Sequence, residues 1–97
     1  MLRGRYKTLT ETGSVVDGGG YLMGIMVGTD GVNDPEITVH DNTEASGDEI
    51  IPTTTVDASV LGFNGAMFGF PVAFRKGLYL TVSAAGTKEV TFYYGNE

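Results

Sequence analysis

Apolar residues in this chain recur at every second position, and nowhere do they follow the i, i+3, i+4, i+7 spacing of a helix over ten or more residues. Ile37 and Val39 alternate with Glu36, Thr38 and His40. Phe68, Phe70, Val72 and Phe74 alternate with Gly69, Pro71 and Ala73. Leu78, Leu80 and Val82 alternate with Tyr79, Thr81 and Ser83, and Val90, Phe92 and Tyr94 with Thr91 and Tyr93. Successive side chains of a strand point to opposite faces, so each run supplies one face for burial. Turn signals separate the runs: Asp30-Gly31, Asn33-Asp34-Pro35, Ser46-Gly47-Asp48, Asn64-Gly65, Lys76-Gly77 and Ala85-Gly86. The fifteen glycines, about twice average usage, fit a chain of strands and turns.

The pattern predicts an all-β fold: a single antiparallel β-sandwich of about eight short strands, jelly-roll-like, over residues 1–97. The expected strands are 3–10, 20–29, 35–41, 49–56, 57–62, 66–75, 78–84 and 88–94. Strand 20–29 differs from the rest. Tyr21, Met23, Ile25 and Val27 fall on one face, and Leu22, Gly24, Met26 and Gly28 on the other. Such a strand is either central and covered on both sides, or it presents Leu22 and Met26 to another subunit with glycines allowing close approach. A sandwich of 97 residues buries only about 60–65% of its unfolded surface, so subunit contacts would relieve a thin core.

Charge narrows the partners. Six Lys and Arg stand against twelve Asp and Glu, a net charge of −6, whereas nucleic acid and anionic membranes call for a cationic surface. No apolar run approaches the roughly 20 residues of a membrane helix, and the basic start Met1–Lys7 is not followed by the apolar stretch of a signal peptide. The expectation is a protein made and used without secretion, binding neither nucleic acid nor membrane. Without cysteine there are no disulfides, thiolate metal sites or Cys nucleophiles.

Candidate chemistry is sparse. Asp30, Asp34, Glu36, Asp41, Glu44, Asp48 and Glu49 crowd one stretch, and Asp41–Glu49 is its best candidate calcium loop. That loop lacks the acid spacing and the glycine of an EF-hand, and a solvated turn is the simpler reading. His40 is the only histidine; it is expected on the outward face of its strand, beside Asp41, with no Gly-x-Ser-x-Gly elbow to supply a nucleophile. Gly18-Gly19-Gly20 precedes a strand and lacks a following Lys-Ser/Thr pair, so it reads as a turn and not as a phosphate loop. No enzymatic activity and no cofactor or metal is expected. Arg3, Arg5 and Lys7 alternate, which places three cations on one face of an extended segment. Residues 1–10 are therefore either a charged edge strand that discourages aggregation or an arm that docks on an acidic neighbour. Arg75 and Lys76 form a second cationic point.

From Tyr21 to Tyr94, roughly three quarters of the chain, the order of segments resembles small β-sandwich structural proteins encoded among the virion genes of tailed bacteriophages. Its most distinctive segments are Val39-His40-Asp41-Asn42-Thr43-Glu44-Ala45-Ser46-Gly47 and Gly77-Leu78-Tyr79-Leu80-Thr81-Val82, neither of them a catalytic motif. The resemblance implies a packing role in the virion, as a capsid decoration (cement), head-fibre or tail component, with no active-site residues. A decoration protein would be made in the host cytoplasm and sit on the particle surface, binding the major capsid protein or other virion subunits as a homo-oligomer, a trimer at a symmetry axis. Its candidate contacts are Arg3, Arg5, Lys7, Leu22, Met26, Arg75 and Lys76. The competing expectation is a fibre- or tail-associated carbohydrate- or receptor-binding module, with Tyr79 and Tyr93 stacking on sugar and Asp41 and Asn42 hydrogen bonding to it.

Overall fold

The computed structural model describes residues 3–59, 65–83 and 88–96. Its strands are β1 (Arg3–Leu9), β2 (Gly13–Asp17), β3 (Gly20–Thr29), β4 (Glu36–His40), β5 (Glu49–Thr55), β6 (Gly65–Phe74), β7 (Gly77–Val82) and β8 (Lys88–Asn96). They form two antiparallel four-stranded sheets, ordered β1-β8-β3-β6 and β2-β7-β4-β5. The pairings β4·β5, β3·β6, β2·β7 and β1·β8 nest inside one another like a single long hairpin. Rolling that ribbon adds the pairs β3·β8 and β4·β7 and closes the eight-stranded jelly roll.

Alternation sets the core. Ile37 and Val39 on β4, Leu78, Leu80 and Val82 on β7, and Val90, Phe92 and Tyr94 on β8 all face inward and are buried. Phe74 of β6 joins them; the side chains of Phe68 and Phe70 lie outside the described residues. β5, by contrast, is a largely exposed edge strand, and its Pro52 sits where a missing N–H donor is tolerated.

β3 resolves its own two-faced pattern with a bulge. Against β8 the register shifts between Leu22 and Gly24, so Met23 is the extra residue in that pairing and the inward phase moves from even to odd positions. Leu22, Ile25 and Val27 are consequently all core residues, Leu22 completely so, while Met26 keeps 37% of its surface. The expectation that Leu22 lies on the outer face with Met26 is corrected: the two are on opposite faces of one sheet.

Two strand assignments also change. β2 was not expected; its adjacent Val15 and Val16 break the alternation because a bulge falls between Ser14 and Val16, and only Val15 is buried. The expected strand 57–62 begins instead as a turn, in which Asp57 Oδ1 accepts from Ser59 N at 2.9 Å and Ser59 Oγ at 2.6 Å; residues 60–62 lie outside the described residues.

The bulge phase gives a direct test. Leu22→Ala is expected to cost about 3 kcal/mol by leaving a core cavity. Met26→Ala, on the same strand, should change stability by about 0.5 kcal/mol or less. Urea unfolding of both variants checks this, and equal losses would contradict the shifted phase.

Candidate functional site

The candidate contact residues occupy three places. The first is the flank formed by β1 and β2, each an edge strand of its sheet. Arg5 pairs with Tyr94 and Lys7 with Phe92, so both project from the core-facing side of the sheet. They remain exposed because β1 is at the rim, and Lys7 Nζ reaches across to donate to Ser14 O of β2 at 3.4 Å. Arg3 continues the strand opposite Asn96; its side chain lies outside the described residues. Residues 3–9 are thus a paired edge strand, with Arg5 and Lys7 over the opening between the sheets.

The second is the outer face of β1-β8-β3-β6. Tyr6 stands there, 73% exposed, opposite half-buried Tyr93. Thr8 and Thr91 share a hydroxyl hydrogen bond of 2.7 Å, and the Met23 side chain extends over Gly4, where an added Cβ would lie 3.7 Å from its Cε. Met26, opposite Thr91, completes the patch. Tyr6 was missed because it sits between cations that drew the reading to charge; the same alternation that aligns Arg5 and Lys7 places Tyr6 on the other face.

The third is the junction of three connections at one end of the sandwich. Asp41, just after β4, accepts from Arg75 N at 2.9 and 3.0 Å and from Lys76 N at 2.8 Å. Lys76 O in turn accepts from Gly18 N at 3.0 Å, tying in the β2–β3 turn. Gly77 has φ 154°, and a Cβ there would meet Val16 O at 2.6 Å and Asn42 O at 3.0 Å, so only glycine fits. Burial works to raise the Asp41 pKa, but the backbone N–H groups of Lys76, Arg75 and Gly77, with the Lys76 charge, outweigh it and hold the carboxyl below its ordinary range. The Arg75 and Lys76 side chains are exposed while their backbone is fixed.

His40 is corrected from a surface residue to a buried one. It keeps 9% of its surface, wedged between Tyr79 and Glu49 on the neighbouring strands. Its Nε2 is 3.8 Å from Glu49 Oε2, and buried Nδ1 has no protein partner.

The acidic stretch does not stay together. β4 separates Asp30, Asp34 and Glu36 at one end of the sandwich from Asp41, Glu44, Asp48 and Glu49 at the other, a span of about 17 Å. Some of these carboxylates serve turns and connections: Asp30 Oδ1 accepts from Val32 N and Asn33 N of its own turn, and Asp34 Oδ1 from Ala58 N of the connection after β5, each at 2.8 Å. Among the described residues no three His, Asp or Glu side chains are placed to hold a metal ion together.

The residues expected to bind sugar do not converge. Tyr79 is on the outer face of one sheet and Tyr93 on the outer face of the other, on opposite sides of the sandwich. Asn42 is spent within its loop, donating to Ser46 O at 3.0 Å and accepting from Thr43 N at 2.8 Å. A cleft of ≈ 290 Å³ does open beside the β2–β3 turn, lined by Gly19, Gly20, Tyr21, Ala73 and Phe74, without any of these groups.

The architecture is an eight-stranded jelly roll with one outer sheet face on which Glu89, at the end of β8, is the charged residue among the described ones. No family model matches the chain, and neither a curated protein nor a solved structure matches it.

Asp41→Asn replaces one accepting oxygen with an amide NH2 that faces backbone N–H donors and removes a charge-assisted acceptor, so it is expected to cost about 2 kcal/mol at pH 7. Because folding lowers the Asp41 pKa, its contribution is present above the unfolded value of 3.8 and is lost as pH falls through the folded value. Thermal melts of both proteins should therefore converge in acid and stay apart at neutral pH; a constant gap would refute the assignment.

Proposed function

We propose that this chain is a non-enzymatic structural protein of a bacteriophage virion, a capsid decoration (cement) protein that reinforces contacts between major capsid subunits. It acts on the particle surface as a homo-oligomer, a trimer at a symmetry axis. The observation that carries this reading is the outer face of β1-β8-β3-β6, where Tyr6, Met23, Met26 and Tyr93 lie among Gly4, Thr8, Gly24 and Thr91, with charge only at its end, where Glu89 stands opposite Gly28. On a chain of net charge −6 such a face suits burial against protein, since interface cores favour Tyr and Met and exclude charge. Jelly rolls also serve viral shells widely, although they host lectins as well, and fold alone chooses neither.

The likeness to phage virion proteins supports the same reading. Its two segments are joined in space: Asp41 of the first holds the backbone immediately before Gly77–Val82, the second. Both are elements of construction. The carbohydrate-binding alternative has no observation in its favour, because its aromatic residues face opposite ways and its polar partners are committed to turns.

Particles from the source of this sequence, banded by density, are expected to carry the chain in many copies. Tyr6→Asp with Met26→Asp should reduce re-binding of the purified protein to stripped particles about tenfold or more, roughly 1.4 kcal/mol, with its melting transition retained. Absence of the wild-type chain from the particle band would overturn the function, and unchanged binding of the double variant would overturn the face.

A further inference from the structure

Jelly-roll topology sorts the charges of this chain by flank. Stacking β1-β8-β3-β6 on β2-β7-β4-β5 leaves β1 and β2 along one side of the sandwich and β6 and β5 along the other. The first flank carries Arg3, Arg5 and Lys7 against Asp17 and, at the far turn between its two strands, Glu11, a formal surplus of one positive charge. The second, at the β4–β5 loop and the adjoining turn, carries Asp41, Glu44, Asp48 and Glu49 against Arg75 and Lys76, a formal surplus of two negative charges. Both surpluses lie toward the same end of the molecule, because β1 begins where β6 ends: Gly4 pairs with Gly95, Gly95 with Tyr21 and Tyr21 with Ala73.

We infer that these flanks bind each other in different copies: the β1/β2 flank of one chain docks on the β5/β6 flank of a second copy of the same chain. The inference rests on the reading of the protein as an assembling subunit, and it names the contact between copies.

Three features select this partner. The strand directions fit, since successive antiparallel pairings make β1 antiparallel to β6 and β2 antiparallel to β5, so both sheets can continue across the junction. Pro52 and Pro71 each remove one donor from the accepting edges, which shortens the ladder without abolishing it. The competing symmetric contact is disfavoured: a β1·β1 pairing about Arg5 that keeps both inner faces on one side sets Arg5 opposite Arg5 of the second copy, which destabilises the pair. Finally, the acids at the far end of the molecule lie away from the cations of β1, because β1 begins at the end where Asp41, Glu44, Asp48 and Glu49 are gathered. Glu44, Asp48 and Glu49 are exposed at the start of β5's free edge. Such a contact is heterologous, joining unlike surfaces.

Light scattering on the purified full-length chain tests this without any particle. At about 0.01 M salt, where charges reach roughly 30 Å, the mass is expected to exceed the 10.3 kDa of one chain; at about 1 M, where they reach roughly 3 Å, it should fall toward it. Arg5→Glu with Lys7→Glu, and separately Glu44→Lys with Asp48→Lys, should each be monomeric at low salt. An equal mixture of the two variants should recover association, because each then offers the flank that the other needs. A wild-type monomer at all salt concentrations overturns the inference. So does association that ignores salt and both variants, or single-variant losses that mixing fails to repair. The salt series uses the unaltered chain, so it remains decisive if a variant misfolds. Particle binding lost through Tyr6 and Met26 with this association intact would separate the two contacts, and the reverse result would do so equally.

Discussion

The fold depends on two tight passages between its sheets, and one carboxylate holds them together. β6 and β7 lie in different sheets, yet only Arg75 and Lys76 separate them. Three Cα steps from Phe74 to Gly77 reach at most about 11 Å, barely the ~10 Å between stacked sheets. The β2–β3 passage through Gly18 and Gly19 is equally short. A chain stretched this way cannot satisfy its own backbone donors, and Asp41 accepts from them. The neighbouring passages are then joined through Gly18 N and Lys76 O, and Gly77 permits the close approach of Val16 O. Loss of this junction would loosen both crossings at once, since they share it.

The same topology decides what each end and side of the molecule presents. Connections leaving successive strands alternate between the two ends, so acids contiguous in sequence become divided in space. One end gathers Glu11, Asp30, Asp34, Glu36, Asp57 and Glu89, all exposed, with Lys88 as the cation nearby and itself buried. The cations other than Lys88 lie on β1 or in the β6–β7 turn. A modest net charge thereby becomes a polarised surface. The outer face of β1-β8-β3-β6 is uncharged between these regions, which allows close contact without the cost of stripping water from ions.

Much of this was legible in the sequence, for physical reasons that also mark where legibility stopped. Strict alternation in β4, β7 and β8 reports a face directly, and those strands were read with their inward residues. β3 misled because alternation assumes an unbroken phase; a single extra residue, Met23, moved Leu22 into the core and left Met26 outside. β2 escaped because two adjacent valines straddle a bulge and only one is buried. His40 was correctly placed on an outward-facing position but wrongly taken as exposed, since an outward side chain in a central strand is covered by its neighbours, here Tyr79 and Glu49. Cross-strand neighbours depend on register, and register is set by long-range pairing that no local pattern contains.

The same division separates construction from surface. Asp41, Asn42 and Gly77 are occupied in closing turns and passages, so they speak to how such a sandwich is built. The surfaces suited to partners are made of other residues: Tyr6 and Met26 on a sheet face, and Arg5, Lys7, Glu44 and Asp48 along the flanks. Those positions tolerate substitution without disturbing the core, because their side chains point away from it or lie at its rim. A scaffold of this kind can therefore keep its junction while its contacts change. The residues that close the fold are for that reason separate from those that shape its exposed surface.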